Sequence, residues 1–202
     1  MPVNQLHLMH PPDECRTYAA IAVANGLKQA IATNVAAQSY SAATLDGGLA
    51  NPGPAVFVLP MTVSVTTSAM AATYNTTDPI VFTGTNPDGD AATVSLMLLA
   101  AGGGETIVAT TGLLTVTTID VPAQLGGAGT FTFGVRDIMP GSKAAIVQFV
   151  AEADGDVLVG WVNGHTDTVT VAKDMPETQL VDTIFGTAAT TALPLRVKFD
   201  RG

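Results

Sequence analysis

The stretch from residue 80 to residue 96, IVFTGTNPDGDAATVSL, determines the fold class. Two runs rich in β-branched residues predict strands near 79–85 and 91–99, and they flank the segment Asn86-Pro-Asp-Gly-Asp90. Proline presets one backbone dihedral angle and glycine supplies a positive φ, so this segment is typical of a turn. The sequence therefore predicts a β-hairpin here.

The same pattern of short strands and turns continues in both directions. Turn segments recur at a spacing of about ten residues, which is typical of a sandwich or barrel. Phe131 and Phe133 alternate with threonines and are predicted to lie in the core. We predict an all-β fold, a β-sandwich of the immunoglobulin-like or jelly-roll-like kind. Its strands lie near 40–45, 55–59, 61–67, 79–85, 91–99, 105–110, 113–120, 130–135, 143–151, 157–162, 165–171, 179–185 and 192–199.

The chain is predicted to have three parts. Residues 1–39 form an N-terminal arm followed by an ambiguous segment, residues 40–136 form the sandwich, and residues 137–202 form a smaller β unit. The sequence from Asp137 to residue 142 is interpreted as a linker. Asn163-Gly164 predicts a hairpin turn within the C-terminal unit.

Residues 18–36 allow two interpretations. The alanine-rich run suits a helix capped by Asp13. Asn25-Gly26 in its middle is, however, a strong signal for a hairpin turn between two strands. We favour the hairpin.

The first residues predict an interface. Leu6 and Leu8 alternate with polar neighbours, and Met9 precedes two prolines. This suits an arm added as a strand to the sheet edge of another subunit. Tyr18 and Trp161, the only tryptophan, complete the predicted interface residues, and Trp161 is alternatively a core residue of the C-terminal unit.

The composition excludes several classes of function. Hydrophobic residues make up 47% of the chain and charged residues only 12%, about half of the usual charged content. The net charge is −9 and the basic residues are scattered, so nucleic-acid binding is not expected. A single cysteine allows no intrachain disulfide. We expect no signal peptide and no membrane helix, and therefore assembly in a cytoplasm.

The sequence offers little for catalysis. The candidate bases are His7 and His10 on the arm and His165, which has Asp167 two residues away on the same strand face. An exposed pair of this kind is interpreted as solvated surface. Asp88 and Asp90 alternate as calcium ligands do, yet they also suit a plain Asp-Gly turn. We expect no enzyme activity, no metal and no cofactor.

Six segments between residues 44 and 135 form a recognisable pattern: Thr44-Leu-Asp-Gly-Gly-Leu49, Val56-Phe-Val-Leu-Pro60, Val63-Ser-Val-Thr-Thr67, Ile80-Val-Phe-Thr-Gly-Thr-Asn-Pro-Asp-Gly89, Gly104-Glu-Thr106 and Leu114-Thr-Val-Thr-Thr-Ile119. With these segments, residues 44–135 resemble a family of small β proteins encoded among the structural genes of tailed bacteriophages.

The resemblance implies a non-enzymatic virion protein. The expected role is capsid decoration, with the chain bridging neighbouring subunits of the major capsid protein on the head surface. A trimer or another symmetric homo-oligomer is expected, because such subunits bind at symmetry axes. The alternative is the base of a spike or a receptor-binding knob, in which Trp161 contacts a host glycan or protein.

Overall fold

The computed structural model describes residues 14–16, 22–50, 53–71, 73–140, 144–162 and 164–201. These residues form an all-β, sandwich-like fold, as the sequence predicts, with one turn of 3-10 helix at Ala42–Thr44. The strands are β1 (Glu14–Arg16), β2 (Val23–Ala32), β3 (Gln38–Ser41), β4 (Ala55–Thr67), β5 (Ile80–Thr85), β6 (Ala91–Leu96), β7 (Thr106–Val121), β8 (Thr130–Ile138), β9 (Ala144–Ala151), β10 (Gly155–Trp161), β11 (Thr166–Val171), β12 (Pro176–Glu177), β13 (Val181–Ile184) and β14 (Leu195–Arg201).

Antiparallel pairing joins all fourteen strands. The main hydrogen-bonded path runs β1-β14-β9-β13-β8-β4-β7-β5-β6. Five strands lie off this path: β2 pairs with β8, β3 with β7, β12 with β9, β10 with β13 and β11, and β11 with β10 alone. We call strands β2 to β8 the N-terminal part and strands β9 to β14 the C-terminal part. Long strands such as β4 and β7 pair along both of their edges, so they form the centre of the N-terminal part.

The predicted hairpin at residues 80–96 is confirmed. Strands β5 and β6 pair in register from Ile80 opposite Leu96 to Thr85 opposite Ala91. The side-chain oxygen of Asn86 accepts hydrogen bonds from the backbone N–H groups of Asp88 and Asp90. The turn is therefore held by an asparagine side chain, which is a common use of this residue in loops.

Aromatic rings fill the core of the N-terminal part. Phe131 and Phe133 are fully buried, as predicted, and their rings stack with centroids 5.7 Å apart. Phe82 meets Phe133 edge-on, and Tyr74 meets Phe131 edge-on at 5.3 Å. Such edge-to-face contacts are favourable, because the positive ring edge faces the negative ring face.

In two places, a pair of strands predicted from the sequence is one continuous strand in the structure. The strands predicted over 55–59 and 61–67 are both part of β4, which contains Pro60, and those predicted over 105–110 and 113–120 are both part of β7, which contains Gly112. The pairing register between β4 and β7 shifts at both places. Bulges accommodate Pro60, which has no backbone N–H to donate. They also accommodate Gly112, where an added Cβ would lie 2.3 Å from the carbonyl oxygen of Met139.

The prediction of a hairpin turn at Asn25-Gly26 is wrong. The alternative prediction of a helix is also wrong for the described part of residues 18–36. Strand β2 runs through both residues, with a wide bulge between Val23 and Lys28 opposite β8. The segment from Gly47 to Leu49 fills this bulge, since its N–H groups donate to the carbonyls of residues 25–27. Tertiary pairing has overridden the local turn signal.

Lys28 anchors the same loop to β2. Its ammonium lies 2.7 Å from a carboxylate oxygen of Asp46 and sits over the ring of Tyr40. The hydrogen bond from Lys28, with that from the backbone of Gln29, lowers the pKa of Asp46. The Asp-Gly-Gly turn is therefore fixed by charge as well as by backbone hydrogen bonds.

The C-terminal strands form a second group. The hairpin predicted at Asn163-Gly164 is confirmed by pairing of β10 with β11. Asp137 and Ile138, assigned to a linker from the sequence, are instead buried at the end of β8, where Ile138 pairs with Ile184 of β13. The predicted division into three parts stays a prediction.

Candidate functional site

Four loops meet at one end of the N-terminal part. They comprise residues 33–37, 68–71, 97–104 and 122–129, which follow β2, β4, β6 and β7 respectively. We call this surface the loop end. Its four segments contain no aspartate, glutamate, lysine, arginine or histidine. The loops after β4 and β6 continue into Asp78 and Glu105, so the loop end carries little charge rather than none.

Hydrogen bonds between the loops give the loop end a defined shape. The N–H of Gln124 donates to the carbonyl of Asn34, and that of Leu125 donates to the carbonyl of Thr73. The N–H of Met70 donates to the carbonyl of Gly102 at 2.8 Å. Each loop is thus tied to at least one other, so the surface exists before any partner binds.

Tyr74 ties the loop after β4 to the start of β8. Its side chain is fully buried, and its hydroxyl oxygen lies 2.9 Å from the carbonyl oxygen of Ser68 and 3.0 Å from that of Thr130. The same oxygen accepts the N–H of Thr130 at 3.1 Å. A Cβ at Gly129 would lie 2.5 Å from this hydroxyl, which explains a glycine there.

Large apolar side chains project from the loop end. Leu99 is 79% exposed, Val35 67%, Leu125 64% and Met70 38%. The carboxylate of Glu105 accepts the N–H groups of Leu99 and Ala100 at 2.9 and 3.0 Å. The backbone beneath Leu99 is therefore held in place, and the exposure of this side chain is a fixed feature of the loop.

The energy available at the loop end is considerable. Burying a fully exposed leucine side chain is worth about 1.5–3 kcal/mol. Because Leu99 is 79% and Leu125 64% exposed, the two together would contribute about 2–4 kcal/mol to a complex. No polar group of these side chains has to lose water. The chemistry that this arrangement can perform is the burial of apolar surface against a partner.

A second feature is a charged cleft among the C-terminal strands. Glu152, Lys173, Asp174 and Arg196 line an open volume of about 370 Å³. A guanidinium nitrogen of Arg196 lies 3.7 Å from a carboxylate oxygen of Asp174. The two acidic and two basic side chains of this lining offset one another in charge, and no histidine or cysteine is among them.

The residues weighed for catalysis and metal binding are placed as follows. His165 and Asp167 lie in the exposed β10–β11 hairpin, and Asp167 accepts the N–H of Thr168. Asp88 and Asp90 are exposed in the β5–β6 turn. Among the described residues, no group of three or more histidine, cysteine, aspartate or glutamate side chains is arranged to hold a metal ion.

The structure places only one of the predicted interface residues. Leu6, Leu8, Met9 and Tyr18 lie outside the described residues. Trp161 is half-buried at the end of β10 and packs against the core, as its alternative interpretation holds. Val162 beside it and Leu180 are both exposed.

Sequence reasoning did not find the loop end. Leu99 was placed inside a strand predicted over 91–99, whereas β6 ends at Leu96. The signal in the sequence is the apolar run Met97-Leu-Leu-Ala-Ala101 directly before three glycines. One such run is ambiguous by itself, because it takes the fold to bring it beside Val35, Met70 and Leu125.

Comparison with models of known protein families and with curated proteins found no match. Among the residues that the structure describes, no helix is long and apolar enough to cross a bilayer.

Proposed function

We propose that this protein is a non-enzymatic structural subunit of a tailed-phage virion that decorates the outside of the head. The observation that carries the proposal is the loop end, a preformed surface with little charge from which five large apolar side chains project, those of Val35, Met70, Met97, Leu99 and Leu125. Such a surface suits burial against a neighbouring subunit and offers no chemistry for turnover.

Charge and composition support the same role. With a net charge of −9, the chain is repelled by nucleic acid and suited to the outer face of a container that holds it. Since few side chains are charged, partner surfaces can pack against it with little desolvation of ions. The resemblance of residues 44–135 to virion proteins agrees with both points.

The test uses particles of a tailed phage that lack the chain. Purified protein is added, and the bound copies per particle are counted after sedimentation. We expect saturation at a number that matches a lattice position. Leu125→Ser should weaken binding about tenfold or more, because an apolar side chain is lost from the interface.

Leu180→Ser is the matched control. Leu180 is 60% exposed, close to the 64% of Leu125, but it lies beside β13 in the C-terminal part. Its replacement should leave particle binding unchanged. Equal binding by wild type and Leu125→Ser would refute the role of the loop end, and failure of the wild type to bind would refute decoration.

The surroundings of Trp161 favour a second candidate, a receptor-binding knob. Trp161 is half-buried and pairs with Val181 of β13, exposed Val162 follows it in the sequence, and exposed Leu180 directly precedes β13. In that case Trp161→Ala and Leu180→Ser should both reduce adsorption of particles to host cells, while Leu125→Ser leaves adsorption unchanged. The two sets of variants thus separate the candidates.

A further inference from the structure

Strand β6 is an open edge of the sheet. Among the described residues it pairs with β5 alone, and it ends the main hydrogen-bonded path. Strand β6 itself contains no charged side chain of the kind that usually blunts an edge; the charged residues nearest to it in the sequence are Asp90 before the strand and Glu105 at the end of the following loop. An edge of this kind is a template for another strand.

The other strands that pair with a single neighbour are less suitable. The outer side of β2 is occupied by the segment from Gly47 to Leu49. Strand β11 carries the charged Asp167 as its second residue, and β1, β3 and β12 are at most four residues long. Strand β6 is therefore the edge best suited to pairing within the described chain.

The register shows which groups of β6 point outward. The N–H of Thr85 donates to the side chain of Thr115 in β7, so the backbone of Thr85 faces β7 rather than β6. Alternate residues of an antiparallel strand face the same neighbour, so Thr83 also faces β7. Thr93, which stands opposite Thr83, consequently presents its N–H and C=O to the open side.

The side chains of β6 define what an added strand should look like. Val94 and Leu96 are buried on one face, while Thr93 and Ser95 are exposed on the other. A strand placed beside β6 therefore needs apolar residues at alternate positions and uncharged polar residues between them.

One segment of the chain has this pattern. Residues 4–9, Asn-Gln-Leu-His-Leu-Met, alternate around Leu6 and Leu8 and contain no aspartate, glutamate, lysine or arginine. They precede β1, which lies at the opposite end of the main strand path from β6. A donor segment at one end of the path and an acceptor edge at the other produce head-to-tail association, which closes into a ring when the rotation allows.

We propose that β6 is the docking edge for residues 4–9 of a second copy of this chain, which add to the sheet as an antiparallel strand and join the copies head to tail. The association requires no capsid, so it is tested on the purified protein and stands apart from the proposed function. Its partner is recognised by main-chain hydrogen bonds to β6 and by apolar side chains on the same face as Val94 and Leu96.

The experiment measures molar mass by light scattering during size-exclusion chromatography at tens of micromolar protein. We expect an oligomer for the full chain and a monomer for Thr93→Pro, since proline removes an outward N–H without breaking a bond to β5. Thr93→Val keeps that N–H and is the matched control, which should remain an oligomer. Deletion of residues 1–9 should also give a monomer.

A peptide of residues 1–12 identifies the occupant. Labelled at its C-terminus, it should bind the chain lacking residues 1–9 in a fluorescence anisotropy titration, and Thr93→Pro in that truncated chain should weaken binding at least tenfold. Circular dichroism shows whether both proteins keep their β structure. If Thr93→Pro does not fold, Thr93→Asp is used instead, because it keeps the N–H and places a charge on the edge.

Three results would overturn the proposal. The first would be a monomeric full chain at these concentrations. The second would be folded Thr93→Pro or Thr93→Asp variants that remain oligomers. The third would be a chain without residues 1–9 that remains an oligomer and becomes a monomer only on Thr93→Pro. The last result would mean that β6 pairs with β6 of another copy, so that residues 4–9 are not the occupant.

Discussion

Replacing Tyr74 with phenylalanine tests whether one hydroxyl holds the loop end to the core. The ring of Tyr74 and its edge-on contact with Phe131 remain, and only the oxygen is removed. That oxygen donates to a carbonyl of Ser68 or Thr130 and accepts the N–H of Thr130. The change therefore separates hydrogen bonding from packing.

The expected loss of stability in Tyr74→Phe depends on which hydrogen-bond partners the neighbouring backbone groups keep. The N–H of Thr130 still reaches the hydroxyl of Ser68 at 3.0 Å, and the carbonyls of Ser68 and Thr130 still accept backbone N–H groups. No backbone group is left without a partner, so the loss is about two net hydrogen bonds, or about 1–3 kcal/mol. For a domain of this size, 2 kcal/mol lowers Tm by about 4–8 °C.

The measurement is urea denaturation followed by circular dichroism, with calorimetry for Tm. The hydroxyl of Ser68 lies 2.9 Å from that of Tyr74, and Ser68→Ala removes it. The double variant closes a double-mutant cycle with an expected coupling of about 0.5–1.5 kcal/mol. Tyr74→Phe as stable as the wild type within about 0.5 kcal/mol would refute the reasoning. Zero coupling would place any loss outside the Ser68–Tyr74 contact.

Two further predictions concern the loop beneath β2 and the buried carboxyl of β8. Gly47→Ala should destabilise the protein by about 2 kcal/mol or more, because its Cβ would lie 2.4 Å from the carbonyl carbon of Leu27; an unchanged denaturation midpoint would contradict this. Burial raises the pKa of the Asp137 carboxyl, so the folded state binds the carboxyl proton more tightly than the unfolded state does. The resulting stabilisation is complete below the ordinary pKa of an aspartate, and it is lost as the pH rises through the raised pKa. Asp137→Asn should therefore gain stability relative to the wild type between pH 4 and pH 7 in thermal melts, and a difference that does not change with pH would disprove this origin.

Local chemistry in the sequence determined the β character and several turns. At residues 86–90 and 163–164, the turn residues need only their own backbone and immediate neighbours, so the hairpins were predicted correctly. The alternation of Phe131 and Phe133 likewise placed both rings in the core, because a strand with one buried face has a period of two.

Tertiary structure decided the features that depend on distant partners. Asn25-Gly26 has the sequence of a turn but lies within β2, because Gly47 to Leu49 supply hydrogen bonds that no local rule contains. Pro60 and Gly112 lie within strands, because bulges in the β4–β7 pair accept them. The loop end has the same origin: Val35, Met70, Leu99 and Leu125 are far apart in the chain, and only the antiparallel pairing of β2, β4, β6 and β7 with their neighbours brings them to one surface.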